Sequence, residues 1–509
     1  MINHIISGFC GHFILPLLRC AIWFINRNAG SEAPVLQHEF PRQSRVAMVI
    51  LIVTLTFFPT AYAEPALVLN DVINSALQAF PSLLATEQRK AVAEGELQAA
   101  EGGFDTQMKI RNNFSVAGLY ENQNNDVSFE QPTAFGGTTF FGGWRRGVGD
   151  YPVYEGKSLT ANAGEMRVGV NIPLWRNRDI DRRRASLQQA ELAQLIAGHD
   201  YDQALLEVRR LATHRYWDWV LAGQRLQTAN RLLQIAEQRD AGIRERVVAG
   251  DIPEFEALDN QRAIIERRER KVAAQRLLEQ SAIQLSLYWR DADGEPRLPS
   301  ATQLPSGFPA QEPQTLLSFE QALQTAHAHR PELQRLSIQR QQTQTEMDLQ
   351  QNQRAPGVDL SVMGSRDLGS SKDKLNSEEL YVGLNLDIPL QRRVATGRAQ
   401  VAAANLQRLK WERQMLEDRM AADVQDVFSA LSAARQRVVL TAQQQQAAQL
   451  LEQGERERFD LGESTVLFVN LREIAHGDAA LMAADAASTL LKAHADYQAA
   501  LGLAIHPLP

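Results

Sequence analysis

Residues Met166–Arg184 read MRVGVNIPLWRNRDIDRRR. Met166, Val168, Val170 and Ile172 alternate with Arg167, Gly169 and Asn171, and a two-residue period marks a strand with two unlike faces. Pro173 ends that strand, because proline has no N–H to give to a ladder and its fixed φ suits a helix's first turn. From about Arg176 the chain turns charged and helical. The pattern recurs at Leu384–Arg393, LNLDIPLQRR, where Leu384, Leu386 and Ile388 alternate before Pro389-Leu390. A strand that runs straight into a long helix, twice, sets the frame for everything else.

The recurrence belongs to a longer internal repeat. Leu67, Ala76, Pro81 and Leu83 return as Leu317, Ala326, Pro331 and Leu333, at a constant offset of 250 residues. Leu69 with Phe319, Ile73 with Leu323 and Ser75 with Thr325 are similar pairs. Each copy predicts a helix (70–101 and 318–353), extended segments (105–173 and 359–389), a very long helix (176–248 and 391–460), and a return helix (254–290 and 465–502). Gly250 and Gly462 turn the long helices around. At 1.5 Å per residue, a helix of about 70 residues reaches roughly 105 Å. It needs neighbours along its whole length, as in a coiled coil. Ala222, Leu226, Ala229, Leu233, Ala236, Ile243 and Val247 supply a 4-3 stripe, with Asp240 as its polar interruption.

The extended segments carry one apolar and one polar face. Met108, Ile110, Phe114, Val116 and Tyr120 alternate with Gln107, Lys109, Arg111, Asn113 and Ser115; Leu360 and Val362 do the same before a polar turn, Arg366–Glu378. Such strands suit a membrane barrel with a wet lumen, or a half-buried soluble sheet. The first copy has about 38 extra residues, including Phe135–Trp144, Tyr151 and Tyr154. They are expected to form a longer hairpin or surface loop with aromatics near an interface, or alternatively a strand pair, Val127–Gln131 with Thr138–Trp144. Residues 291–316 join the copies; Pro296, Pro299, Pro305, Pro309 and Pro313 predict an extended strap.

Residues 1–63 are expected to be a leader and signal peptide. Val46–Phe58 is a 13-residue, mostly apolar run behind Arg42 and Arg45, and Ala61-Tyr62-Ala63 fits a cleavage site that leaves Glu64 first. A retained N-terminal anchor is the alternative. Cys10 and Cys20 both lie in this leader, so the mature chain has no thiol for disulfides, catalysis or metal ligation. Without the leader, 49 basic side chains face 58 acidic ones, which gives no footprint for nucleic acid. No run after residue 63 is long enough for a membrane helix, so entry into a bilayer would require a barrel.

Taken together, helix–hairpin–long helix–return helix, the junctions Ile172-Pro173-Leu174 and Ile388-Pro389-Leu390, and the turns Arg246–Gly250 and Arg458–Gly462 resemble the TolC family of outer-membrane efflux proteins. The resemblance covers most of residues 66–505, with repeats at 64–290 and 317–509. It implies a mainly α chain with a membrane β-barrel: a homotrimer in which each chain gives four strands to a 12-stranded barrel and its helices to a periplasmic tunnel. It also implies partners, a periplasmic adaptor protein and an inner-membrane pump, in efflux or type I secretion, with outer-membrane lipid around the barrel. In that family, acidic residues six and nine positions after the tip glycine lie at the tunnel mouth. Glu256 and Asp259 match; the second copy has Phe468 and Leu471 there, followed by Arg472 and Glu473, and so departs from the pattern. From the residues alone, Glu256 and Asp259 share a helix face in the first turns after Gly250, where negative charge is favourable anyway. Arg246 and Arg472 are the candidate partners for them.

The Arg clusters Arg176, Arg178, Arg182, Arg183 and Arg184, and Arg392, Arg393 and Arg398, fall where strand meets helix. There they would meet lipid phosphates, or form ordinary helical pairs with Asp179 and Asp181. No enzyme is expected. Gly147-Val148-Gly149 lacks the third glycine and the helix of a phosphate loop, and His327 and His329, two apart, point to different sides of a helix. No cofactor and no metal are expected. The competing expectations are a periplasmic adaptor, which would have one hairpin and small β-domains, and a soluble coiled-coil scaffold, which would need neither strands nor leader.

Overall fold

The computed structural model describes residues 65–152, 158–309, 316–370 and 378–504. The expected leader and cleavage site, part of the strap and part of the second polar turn lie outside the described residues. The unit from Glu64 onward contains both repeats.

Where one opening helix was expected in each copy there are two: α1 (Leu69–Ala79) and α2 (Pro81–Glu101), then α5 (Phe319–His329) and α6 (Pro331–Asn352). The break is at the residue before proline. Phe80 and Arg330 both have extended backbone, with ψ of 118° and 120°, because proline's ring disfavours helix in its predecessor. The repeat also shows in the packing. Ala76 and Ala326 are fully buried, and Leu83 and Leu333 are buried beside them. α1 presses Leu69, Val72, Ile73 and Ala76 into a core with Tyr216, Trp219 and Val220 of α3 (Arg182–Val248). α5 does the same with Ala322 and Ala326 against Met420 and Val424 of α7 (Arg393–Asp460).

The two long helices have 67 and 68 residues, each roughly 100 Å. Of the 4-3 stripe on α3, Ala222, Leu233, Ala236 and Ile243 are buried. The return helices are α4 (Glu254–Ser286) and α8 (Val466–Ala500). α2 and α6 run beside α3 at the end near the strands, and α4 and α8 beside it towards the turns. The strap lies on the α1–α3 core: Leu67 N–H donates to the Gln303 carbonyl at 2.9 Å, and Leu304 fills the space that a Cβ on Gly223 would occupy. Among its described residues the strap makes a turn at 291–295, where Asp291 N–H donates to the Glu295 carbonyl at 3.0 Å, and one short 3₁₀ turn, Ala301–Gln303.

One antiparallel sheet holds all the strands, in the order β1 (Gln107–Ser115), β2 (Asn122–Pro132), β3 (Thr139–Gly149), β4 (Glu165–Pro173), β5 (Gly357–Asp367), β6 (Glu378–Asp387). That is six strands among the described residues, two more than the resemblance implies. Tyr154 lies outside the described residues, and the described extra residues at 122–132 and 139–149 do not form a surface loop. They form the strand pair that was the alternative, longer than expected, with Val127 opposite Trp144. Gly136 and Gly137, at φ 56° and 69°, make the turn between β2 and β3, a backbone that L side chains rarely adopt. β2 and β3 therefore separate β1 from β4, which would otherwise be neighbours.

Candidate functional site

Three regions carry functional chemistry: the sheet, its junction with the helices, and the helical tips.

The strand register assigns every sheet residue to a face. Met108, Ile110 and Phe114 share a face with Val127 and Phe129, then Phe140 and Trp144, then Met166, Val168 and Val170, then Leu360 and Val362, then Val382 and Leu384. This apolar band crosses all six strands without a break. It is open to its surroundings: Val168 is 68% exposed, Leu384 67% and Ile110 60%. Phe114 and Val116 sit at and just past the end of β1. The opposite face is polar and internally paired. Lys109 of β1 bridges to Glu130 of β2, Arg145 of β3 to Glu165 of β4, and Arg167 of β4 reaches across β3 to Asp126 of β2. Arg167 can do so because the residue beside it on β3 is Gly143. Phe141 covers Gly169, filling the place of its missing side chain.

At the junction, Pro173 ends β4, and Leu174 N–H still donates to the Val358 carbonyl at 2.7 Å. The chain then turns through Asn177 at φ 67°. Arg184 holds this turn by donating to the carbonyls of Asn177, Arg178 and Asp179, while Asp181 caps α3 through Arg184 N–H at 3.0 Å. Arg176 pairs with Asp387 of β6. These arginines therefore bind their own chain: Arg176 reaches β6, and Arg184 holds the turn and also pairs at 2.8 Å with the side chain of Asp181, three residues back. Arg182, Arg183, Arg392, Arg393 and Arg398 instead line an open cavity of about 1060 Å³, which also includes Pro173, Pro389 and Gly137.

The tips are built twice on one plan. Gly250 and Gly462 both have φ 80°. Asp251 N–H donates to the Arg246 carbonyl and Gly250 N–H to that of Val247; Glu463 and Gly462 repeat this with Arg458 and Phe459. Because a left-handed residue with a Cβ is strained, Gly250→Ala and Gly462→Ala should each cost about 1–2 kcal/mol. Urea unfolding and hydrogen exchange at the tip will measure this; loss at one turn only would mean that the two turns are not equivalent.

The five charged candidates at this end are engaged within the chain. Glu256 accepts from Val466 N–H at 2.9 Å, so it caps the partner return helix α8 rather than its own helix. Asp259 accepts from Asn470 at 3.3 Å and pairs with Arg262. Arg472 lies 3.8 Å from Glu455. Arg246 stacks over Phe459. Glu473 is fully buried and so is not at a surface. Its carboxylate accepts from Arg239 at 2.7 Å, Arg267 at 2.8 Å and Arg456 at 3.1 Å. Burial works against that charge, but Arg239 and Arg267 outweigh it and hold the carboxyl below its ordinary range. His476 pairs with Glu452 in the same layer. Sequence reading missed this layer, whose only hint was charge inside a helical stripe.

Among the described residues no helix is long and apolar enough to cross a membrane, and no three His, Asp or Glu side chains are grouped to hold a metal. No family model and no curated protein matches the sequence. Solved structures do. The open-state MtrE outer membrane channel of Neisseria gonorrhoeae is 16% identical, with a TM-score of 0.61 over 86% of this chain and 89% of that one. The CmeC outer membrane channel of Campylobacter jejuni is 12% identical, with a TM-score of 0.60 over 93% and 94%. The outer membrane protein VceC of Vibrio cholerae is 15% identical, with a TM-score of 0.59 over 85% and 96%. The chain has the fold of these outer-membrane channels, the TolC-like fold that its sequence resembles.

Proposed function

We propose that this chain is the outer-membrane component of a tripartite exporter, for efflux or type I secretion. Three copies form a passive conduit whose helical tunnel stands in the periplasm. The observation that carries this is the sheet: an unbroken, exposed apolar face, a paired polar face and two open edges, mounted on helices of about 100 Å. A soluble sheet would cover that apolar face. The open-edged sheet of one chain leaves backbone groups that no bilayer can satisfy, so closure requires further copies. Exposed Phe255, Ile265 and Val272 on α4, and Trp411, Val439 and Leu450 on α7, are consistent with helices packed beside neighbouring copies. An adaptor with a single hairpin does not account for the repeated sheet.

On this proposal Gly250 and Gly462 are the periplasmic tip turns, where an adaptor and an inner-membrane pump dock, and Glu256, Asp259 and Arg472 surround the tunnel mouth. The protein is expected in outer-membrane fractions as a trimer that heating dissociates on a gel; a monomer in the periplasmic fraction would overturn the proposal. In planar bilayers, Glu256→Gln with Asp259→Asn should lower cation selectivity, and Arg472→Ala should raise the resting current. Unchanged selectivity and current in both variants would leave these residues only helix caps and tip contacts.

A further inference from the structure

From the topology of the sheet we infer that the barrel closed by three copies has eighteen strands, because β2 and β3 are wall strands and not an external loop. This rests on the trimeric channel proposed above and alters its bore. Each chain presents six strands in one ladder. β1 is hydrogen-bonded to β2 from Gln107 to Ser115, and β3 to β4 from Thr139 to Arg145, so the inserted pair spans the same depth as its neighbours. Its turn, Thr133–Thr138, reaches the helix junction, where Gly137 lies against Pro173, Asn177 and Arg184. A loop outside a membrane would not return to that end.

The side chains agree with the backbone. Val127, Phe129, Phe140 and Trp144 extend the apolar face, so β2 and β3 meet the same surroundings as β1 and β4. On the polar face, two of three ion pairs join the inserted strands to the flanking ones in single steps, Lys109–Glu130 and Arg145–Glu165. The third, Asp126–Arg167, spans β3. Removing the pair from the wall would break all three.

The edges then meet as copies of one another. β1 runs away from the helices and β6 towards them, so β1 of one copy and β6 of the next are antiparallel, like every other pair in the sheet. On the polar face β1 carries Lys109, paired with Glu130, and Arg111; β6 carries Glu379 and Asp387, the latter paired with Arg176. Arg111 has no partner among the described residues of its own chain.

Barrel diameter grows with strand number, so eighteen strands are about half again as wide as twelve. At about 4.8 Å per strand and a tilt near 40°, the rim measures roughly 110 Å. Beside the sheet each chain sets α2, α3, α6 and α7 next to one another. Twelve helices at 8–10 Å between axes form a ring of roughly 95–120 Å. The wider barrel thus continues the tunnel without a constriction, and a bulky solute that clears the tips meets its narrowest point there and not in the wall.

The test uses full-length protein in vesicles with brominated acyl chains. A bimane probe is placed in turn at Val127→Cys of β2, Phe140→Cys of β3, Val168→Cys of β4 and Leu384→Cys of β6. Equal quenching at all four positions is expected. Quenching at Val168→Cys and Leu384→Cys alone would put the inserted pair outside the wall and overturn the eighteen-stranded barrel, while sparing the membrane channel. Absence of quenching at every position would remove the channel proposal as well. In a second measurement, a flexible bismaleimide on Ile110→Cys with Leu384→Cys should join chains covalently up to the trimer. Products confined to single chains would mean that β1 and β6 are not the contacting edges.

Discussion

Replacing Glu473 with alanine should destabilise the helical tip by about 3–5 kcal/mol, the cost of stranding a buried charge. The loss does not measure the attraction between partners. Most of it comes from what is left behind: Arg267 is 2% exposed, and its guanidinium has only the Leu232 carbonyl and Asn470 to replace the missing carboxylate. Arg239 loses its carboxylate partner at the same time and keeps only Asn470 and Asn260. These residues come from α3, α4 and α8, with Arg456 of α7, so one carboxylate ties all four helices of the tip. Glu473→Gln keeps the shape and one acceptor and should cost less. Urea unfolding with hydrogen exchange at the tip will read the effect. A loss below about 1 kcal/mol would mean that water reaches the site and solvates the arginines.

The same group sets a pH dependence. The carboxyl is held below the ordinary glutamate range in the folded chain by Arg239 and Arg267. The unfolded chain therefore takes up the proton first, and stability falls with falling pH. The contribution of Glu473 is complete above about pH 4.5 and is lost as pH drops through the depressed folded value. Glu473→Gln should flatten that acid limb while leaving neutral behaviour parallel to the parent.

What could be seen in the sequence was whatever is periodic or local. The strands before Pro173 and Pro389, the lengths of the long helices and the glycine turns are all signalled within a few residues. The breaks at Phe80 and Arg330 were equally local: Pro81 and Pro331 stood in the repeat, and the preference of a pre-proline residue for extended backbone was the unused signal. The first half of β2 was hidden by Asn122-Gln123-Asn124-Asn125-Asp126, five polar residues in a row that mask alternation. They are tolerated because one set faces the paired polar side of the sheet and the other sits near the strand's end. The tip layer was invisible for a different reason. Glu473 meets Arg267 and Arg239 across 206 and 234 residues of chain, and Glu256 meets Val466 across 210. Nothing in a helical pattern tells a solvated Glu from one that three arginines enclose.

Arginine at Ile110 should cost about 2–4 kcal/mol in a bilayer, the penalty for a cation on the lipid face near the midplane. Ile110 is central in β1, on the apolar face, directly opposite Val127. The next residue, Arg111, is already an arginine, and it lies on the polar face. The strand therefore contains its own control: the same side chain one position away differs only in what it points at. Asn113→Arg, also on the polar face, should be neutral to within about 0.5 kcal/mol, as for a substitution in a wet lumen. Phe114→Arg should cost less than Ile110→Arg, since Phe114 lies towards the strand end and near-interface positions lose only about 0–1 kcal/mol. Folding into lipid vesicles, followed by denaturant titration, will rank the three. Graded loss in the order Ile110, Phe114, Asn113 requires a bilayer whose centre coincides with the middle of β1. Equal tolerance at all three would mean that water bathes both faces of the sheet, and the apolar band would then have to be covered by protein.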